Sequence, residues 1–176
     1  MKEKLEILHK PLTADEIEWK IQSKTKTGKT VIVPYISNRA VQSRFDEAFG
    51  ALGWKNEFSV WHDRYQKKGR GDETVVVERG IKACICVYCD EKREWVCKYD
   101  GANESAIEPT KGGFSDSMKR VSTQWGMGRN LYEYPTVMID GLVSYIPNKA
   151  SKQLIALTQK INRVGVTKDF IILKNE

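Results

Sequence analysis

The chain contains no long apolar run. None approaches the roughly 20 residues that a bilayer-crossing helix requires. The opening MKEKLEILHKP breaks its hydrophobes with charge where a secretory leader would keep them together, so a cytosolic chain is the expectation. Histidine is also scarce. His9 and His62 stand alone, and neither has a nucleophile and an orienting carboxylate at a suggestive spacing, which leaves no catalytic constellation. Internal repeats and low-complexity segments are absent, which excludes a repeat architecture. Cysteine is present but confined: Cys84, Cys86, Cys89 and Cys97 crowd into one short segment, whereas a disulfide-stapled secreted domain would spread them over the fold.

With 176 residues and 40% hydrophobic content, the chain can bury one core but is short for two ordinary domains. One main domain over residues 1–147 with a small helical appendage at 148–176 is expected. Lys and Arg outnumber Asp and Glu by 29 to 23, for a formal charge of +6 and a pI near 9.1. That balance favours a polyanionic partner over an acidic substrate.

Hydrophobic periodicity then divides the chain. EIEWKIQSKTKTGKTVIVPYI, residues 16–36, suggests two strands joined by a polar turn at Gly28. Val41, Phe45, Ala48 and Leu52 recur at helical spacing after Ser37, which predicts a helix over 38–50. From Trp54 to Tyr99 the period becomes two, with strands near 55–65, 74–88 and 94–99. Val75, Val77, Ile81, Ala83, Ile85 and Val87 share one face of the middle strand, broken by Arg79. The antiparallel meander is followed by a long helix from Pro109 to about Trp125, whose stripe of Phe114, Met118, Val121 and Trp125 must pack on the sheet. The fold class is therefore α+β, an antiparallel meander covered by a long helix in a β-β-β-α core. An extended segment near 136–146 and an amphipathic helix carrying Leu154, Ile155, Leu157 and Ile161 complete the chain. Phe170 to Leu173 suits a strand as well as a short helix capped by Thr167.

The candidate binding residues are basic. Lys119 and Arg120, with Lys111 and Arg129, form a cluster on and just after the long helix, opposite its apolar stripe. Such a surface suits phosphates, because each neutralised charge releases a counterion and helix-borne side chains keep a fixed pitch. Arg39 and Arg44 on the earlier helix, and Lys67, Lys68 and Arg70 in the hairpin tip QKKGRGD, extend the positive track. Tyr65, Tyr99, Tyr132 and Tyr134 are candidate stacking partners for bases. Each also fits a plain packing role, as the basic residues fit a solvated face.

Other motifs fail on spacing. TKTGKT ends like a phosphate-binding loop, but the first glycine of that motif should fall at position 23, which is Ser23. No nucleotide cofactor is expected. Asp100, Glu104 and Glu108 recur every fourth residue, yet Gly101 and Pro109 interrupt a helix there, which weakens a metal-dependent nuclease reading. Cys84 and Cys86 project from one strand face rather than from a C-x2-C turn, which disfavours zinc and predicts reduced structural thiols. A hairpin closing at residues 90–93 would set Cys86 across from Cys97. No bound metal is expected.

The segment DGANESAIEPTKGGFSDSMKRVSTQWGMGRNLYEYP, residues 100–135, resembles the signature segment of phage Sak-type single-strand annealing proteins, the phage branch of the Rad fifty-two superfamily. Gly101, Ala102, Lys111, Gly112, Ser115, Asp116, Lys119, Arg120, Trp125, Gly126, Gly128, Arg129, Leu131 and Tyr132 stand where that pattern expects them. YISNRAVQSRFDEAFGALGW, from Tyr35 to Trp54, is similar to the family's other characteristic segment. The resemblance implies a strand-strand-strand-helix core, homo-oligomeric rings or filaments, and a groove for single-stranded DNA lined by Lys119, Arg120 and Arg39. Thr123 stands where eukaryotic relatives carry a further basic residue.

The expected function is ATP-independent binding and annealing of single strands in phage recombination and repair, in the host cytoplasm or nucleoid, without enzymatic catalysis. The expected partners are single-stranded DNA, further copies of the chain and a single-strand-binding protein. The alternative is a single-stranded nucleic-acid-binding protein that does not anneal.

Overall fold

The computed structural model describes residues 1–67, 74–105, 108–167 and 169–174. They fall into two compact units, Met1–Lys10 with Asn38–Met127, and Pro11–Ser37 with Gly128–Glu176.

The first unit contains α1 (Lys2–His9); the second holds the hairpin strands β1 (Ile17–Lys24) and β2 (Lys29–Ile36). The first unit continues with α2 (Asn38–Phe49), β3 (Trp54–Lys67), β4 (Thr74–Cys89), β5 (Glu94–Asn103) and α3 (Pro109–Gln124). β3, β4 and β5 form a three-stranded antiparallel sheet in chain order. This is the expected meander, and alternation of apolar and polar residues gives it two different faces. Ile81, Ala83, Ile85 and Val87 of β4 are buried on the face shared with Met118, Val121 and Trp125 of the α3 region. Val77, expected on the same face, is exposed.

α3 covers the sheet with a stripe different from the expected one. Phe114 lies at the margin, edge-on to Phe58 with ring centroids 4.8 Å apart, while Gly113, Ser117 and Ser122 are buried beside Met118 and Val121. Gly113 is there because a Cβ would approach the Ile81 side chain to 2.8 Å, so its absence lets helix and strand close up. The buried serines bond back into their own helix: Ser117 Oγ donates to Phe114 O at 3.1 Å and Ser122 Oγ to Lys119 O at 2.7 Å. The indole Nε1 of buried Trp125 donates to Ile85 O at 3.1 Å. In α2, Phe49 takes the place expected for Leu52, which lies beyond the helix and is almost fully exposed.

Cys86 and Cys97 are directly opposite in the β4–β5 register and are joined by a disulfide, while Cys84 and Cys89 are free buried thiols. This corrects the expectation that all four would be reduced. The register is the one expected from a turn at residues 90–93, which sets Cys86 across from Cys97 and brings the two sulfurs within bonding reach.

In the second unit, β6 (Thr136–Asp140), α4 (Asn148–Val164) and β7 (Phe170–Leu173) join the hairpin strands to make a four-stranded sheet of order β1-β2-β6-β7. β6 and β7 are parallel, which requires a crossover, and α4 is that crossover. The segment left open between helix and strand is therefore a strand. Ile32, Val137 and Ile139 of the sheet share a core with Ala150 and Leu154 of α4 and Leu173 of β7. Buried Thr30 is satisfied twice, donating to Gly141 O at 2.9 Å and accepting from Val143 N at 3.0 Å.

Candidate nucleic-acid interface

The solvent side of α3 presents its basic residues in three different states. Lys111 is exposed and pairs with Glu108 at 2.9 Å, within its own first turn. Lys119 is only 11% exposed, with Nζ 3.4 Å from Asp116. Arg120 is 56% exposed, and its Nε lies 3.1 Å from Asp100 Oδ1. Among the described residues Asp100 is the hydrogen-bond partner of the Arg120 guanidinium, through Nε, which leaves the terminal nitrogens of this exposed side chain available. A planar fork of this kind can bind a phosphate bidentately.

Asp100 is the anchor. Its carboxylate, on β5, accepts from the Gly101 N–H at 2.7 Å, from Gln124 Nε2 at 3.1 Å and from Arg120 Nε. Burial by itself would raise this carboxyl, but the hydrogen bonds from Gln124, Gly101 and Arg120 outweigh it and hold the group below its ordinary value. The Lys111–Glu108 pair is exposed on both sides, and such a pair contributes only about 0–1 kcal/mol. A phosphate can therefore displace Glu108 from Lys111 at little cost.

The other sequence candidates are scattered. Arg39 is exposed in the first turn of α2, Tyr65 is exposed on β3 with its hydroxyl 3.4 Å from Asp63, and Lys67 is exposed at the end of β3. Arg44 departs from expectation: it is 7% exposed, and its guanidinium donates to Ile7 O at 2.9 Å and Lys10 O at 3.2 Å. It ties α2 to the end of α1, a role that helical spacing could not distinguish from a surface cation. Arg129 lies in the second unit, exposed at the start of a 3-10 turn, Arg129–Glu133. Tyr132 is exposed there, and Tyr134 packs on Trp19 with centroids 6.1 Å apart. Lys68 and Arg70 lie outside the described residues.

A shallow depression of about 480 Å³ lies between Trp61, Gly80, Gly101, Asn103 and Arg120. An adjoining one of about 700 Å³, which shares Asn103, is lined by Arg64, Arg79 and Glu104. Arg79 is bound bidentately by Asp63, at 2.8 and 3.1 Å. Sequence reasoning missed Trp61 because it falls in a β-bulge between Val60 and His62, where the two-residue period is interrupted.

Asp100, Glu104 and Glu108 do not converge. Asp100 is bound to Arg120 and Glu108 to Lys111. The one group of three potential metal ligands among the described residues is Cys84, Cys86 and Cys97, with sulfurs within 4.8 Å of one another. Two of these are spent in the disulfide, and burial pushes the Cys84 thiol up, against ionisation. A cation would need thiolates, so the cluster as it stands is a poor fit. No helix among the described residues is long and apolar enough to cross a membrane.

Residues 1–149 match the family model described as Rad52/22 family double-strand break repair protein. No curated protein sequence matches the chain.

Proposed function

We propose that this chain, which belongs to the Rad52/22 family of double-strand break repair proteins, binds single-stranded DNA through the solvent face of α3 and anneals complementary strands. Membership places it among proteins of DNA repair and recombination. The observation that carries the finer reading is the presentation of Arg120: its Nε is held by Asp100 and its exposed side chain lines an open depression. Lys119 supplies positive potential at the base of that face, and Lys111, Arg39, Lys67 and Arg129 are proposed as further phosphate contacts. The buried Arg44 is left out.

The mechanism follows from what such contacts can do. Phosphate-directed cations neutralise the strand and release counterions without reading sequence. Watson–Crick edges then stay open to a complementary strand. The protein acts by concentrating and ordering the strands, and the duplex formed supplies the driving force. No nucleotide is hydrolysed and no metal acts in the reaction. The annealing function is assigned to residues 1–147, in a homo-oligomeric ring or filament of the phage Sak type, with a single-strand-binding protein as a further partner.

The test is annealing of two complementary fluorescent oligonucleotides without ATP, with light scattering for mass. Accelerated pairing by a large oligomer supports the proposal. Tight binding by a monomer that leaves the pairing rate unchanged would replace it with a non-annealing single-strand-binding role.

A further inference from the structure

The sheet face turned away from α3 carries a cluster of exposed aromatic side chains. In the register Glu57–Cys84–Tyr99 and Ser59–Lys82–Gly101, paired residues lie on this outer side. Tyr99 is 56% exposed, and Trp61, in the neighbouring bulge of β3, is 65% exposed. A single exposed aromatic needs no explanation. Here a cation joins two of them: Lys82 Nζ lies 4.9 Å from the Trp61 ring centroid and 5.4 Å from that of Tyr99. Among the described residues Lys82 has no acidic partner, unlike Lys55 on the same face, which pairs with Glu57 at 2.9 Å. Directly across from Lys82, Gly101 has no side chain, and the resulting depression reaches Arg120.

We propose that Trp61, Tyr99 and Lys82 form a stacking platform for the unpaired bases of single-stranded DNA, continuous with the phosphate contact at Arg120. The inference rests on the single-strand-binding reading above and adds to it the residues that engage bases. Charge complementarity selects the occupant. An unpaired ammonium over exposed rings suits a ligand that brings both a flat π-face and a negative charge, and each nucleotide of a single strand brings both. Stacking uses the base face and leaves the pairing edge free, so a strand held this way remains competent to anneal.

The experiment compares the full-length protein's affinity for a fluorescent oligothymidylate and for an abasic oligonucleotide of equal length, by anisotropy, with light scattering on the same samples. The wild-type chain is expected to bind the oligothymidylate about tenfold more tightly. Trp61→Ala and Tyr99→Ala should each remove most of that preference and leave abasic binding unchanged, while Trp61→Phe, which keeps a ring, retains it. Equal binding of the two probes by the wild type overturns the platform but leaves single-strand binding intact. So does a parallel loss on both probes in Trp61→Ala or Trp61→Phe. If Trp61→Ala instead splits the oligomer while base preference persists, the face is a contact between copies and the platform is wrong. Binding of neither probe sinks the single-strand-binding reading itself, and the platform with it.

Discussion

The two units are built from strands at different separations along the chain. In the first, β3, β4 and β5 follow one another and pair in that order, so every ladder joins neighbours. In the second, β2 pairs with β6 across more than half the chain, and β6 pairs in parallel with β7 beyond a helical crossover. The first kind of sheet is specified by local alternation and tight turns. The second depends on which distant apolar faces find each other, and no local pattern states that. The proposed binding side chains Lys119 and Arg120, with Asp100, the anchor of Arg120, all lie in the locally specified unit.

The largest effects should come from the two cores. Trp125→Ala removes a buried indole and its hydrogen bond to Ile85 O, and should cost about 3–5 kcal/mol of stability. Leu154→Ala, in the core of α4 with β2 and β6, should cost about 2–5 kcal/mol. Chemical denaturation followed by circular dichroism measures both. A negligible change for Trp125→Ala would show that the α3 stripe is misplaced, and one for Leu154→Ala would show that α4 does not hold the second sheet.

The first unit is also covalently tied, since Cys86–Cys97 closes a loop with a sequence separation of 11. Reduction is expected to lower stability by about 2–3 kcal/mol, as loop closure of that length suggests. A denaturation midpoint unmoved by a phosphine reductant, with thiol titration confirming that the bond has opened, would contradict this.

Replacing Lys119 and Arg120 together by alanine should leave the circular dichroism spectrum native, because alanine favours the helix and no apolar residue packed on the sheet is removed. Single-strand affinity should fall about tenfold at low salt, and the slope of log affinity against log salt should lose about 1.4. Unchanged affinity in a folded double variant would remove the pair from the interface.

The smallest effect concerns acid. Because the folded Asp100 carboxyl is held below its ordinary value, it contributes stability that is complete above that ordinary value and lost as pH falls through the lowered folded value. Asp63, lowered chiefly by its hydrogen bond from Arg79, behaves the same way. Asp100→Asn should therefore flatten part of the acid-side decline in denaturation midpoint, and an identical pH profile would show that Asp100 is not so held.

Several residues mark where reading a linear pattern stops. Phe114 fits the helical period of α3 as well as Met118 does, but the helix sits close to β4 through Gly113, Ser117 and Ser122, and hydropathy gives small residues no weight. The α1 segment contributes one buried residue, Leu8. A single anchor makes no period, so the segment did not announce itself as a helix. Arg44 and Arg39 look alike in sequence, and only the main-chain carbonyls of Ile7 and Lys10 distinguish a buried tether from an exposed cation. Trp61 escaped notice because a bulge shifts the face on which it stands.

Period-two alternation in residues 54–99, the proline-led helix after it and the basic pair on that helix were properties of the sequence alone, because each depends on neighbours a few positions apart. Tertiary structure decided the parallel β6–β7 pair, the engagement of Arg120 by Asp100 and the grouping of Trp61, Lys82 and Tyr99. Each of these is a meeting of side chains or strands that the sequence keeps apart, and its energy exists only once the sheets have formed.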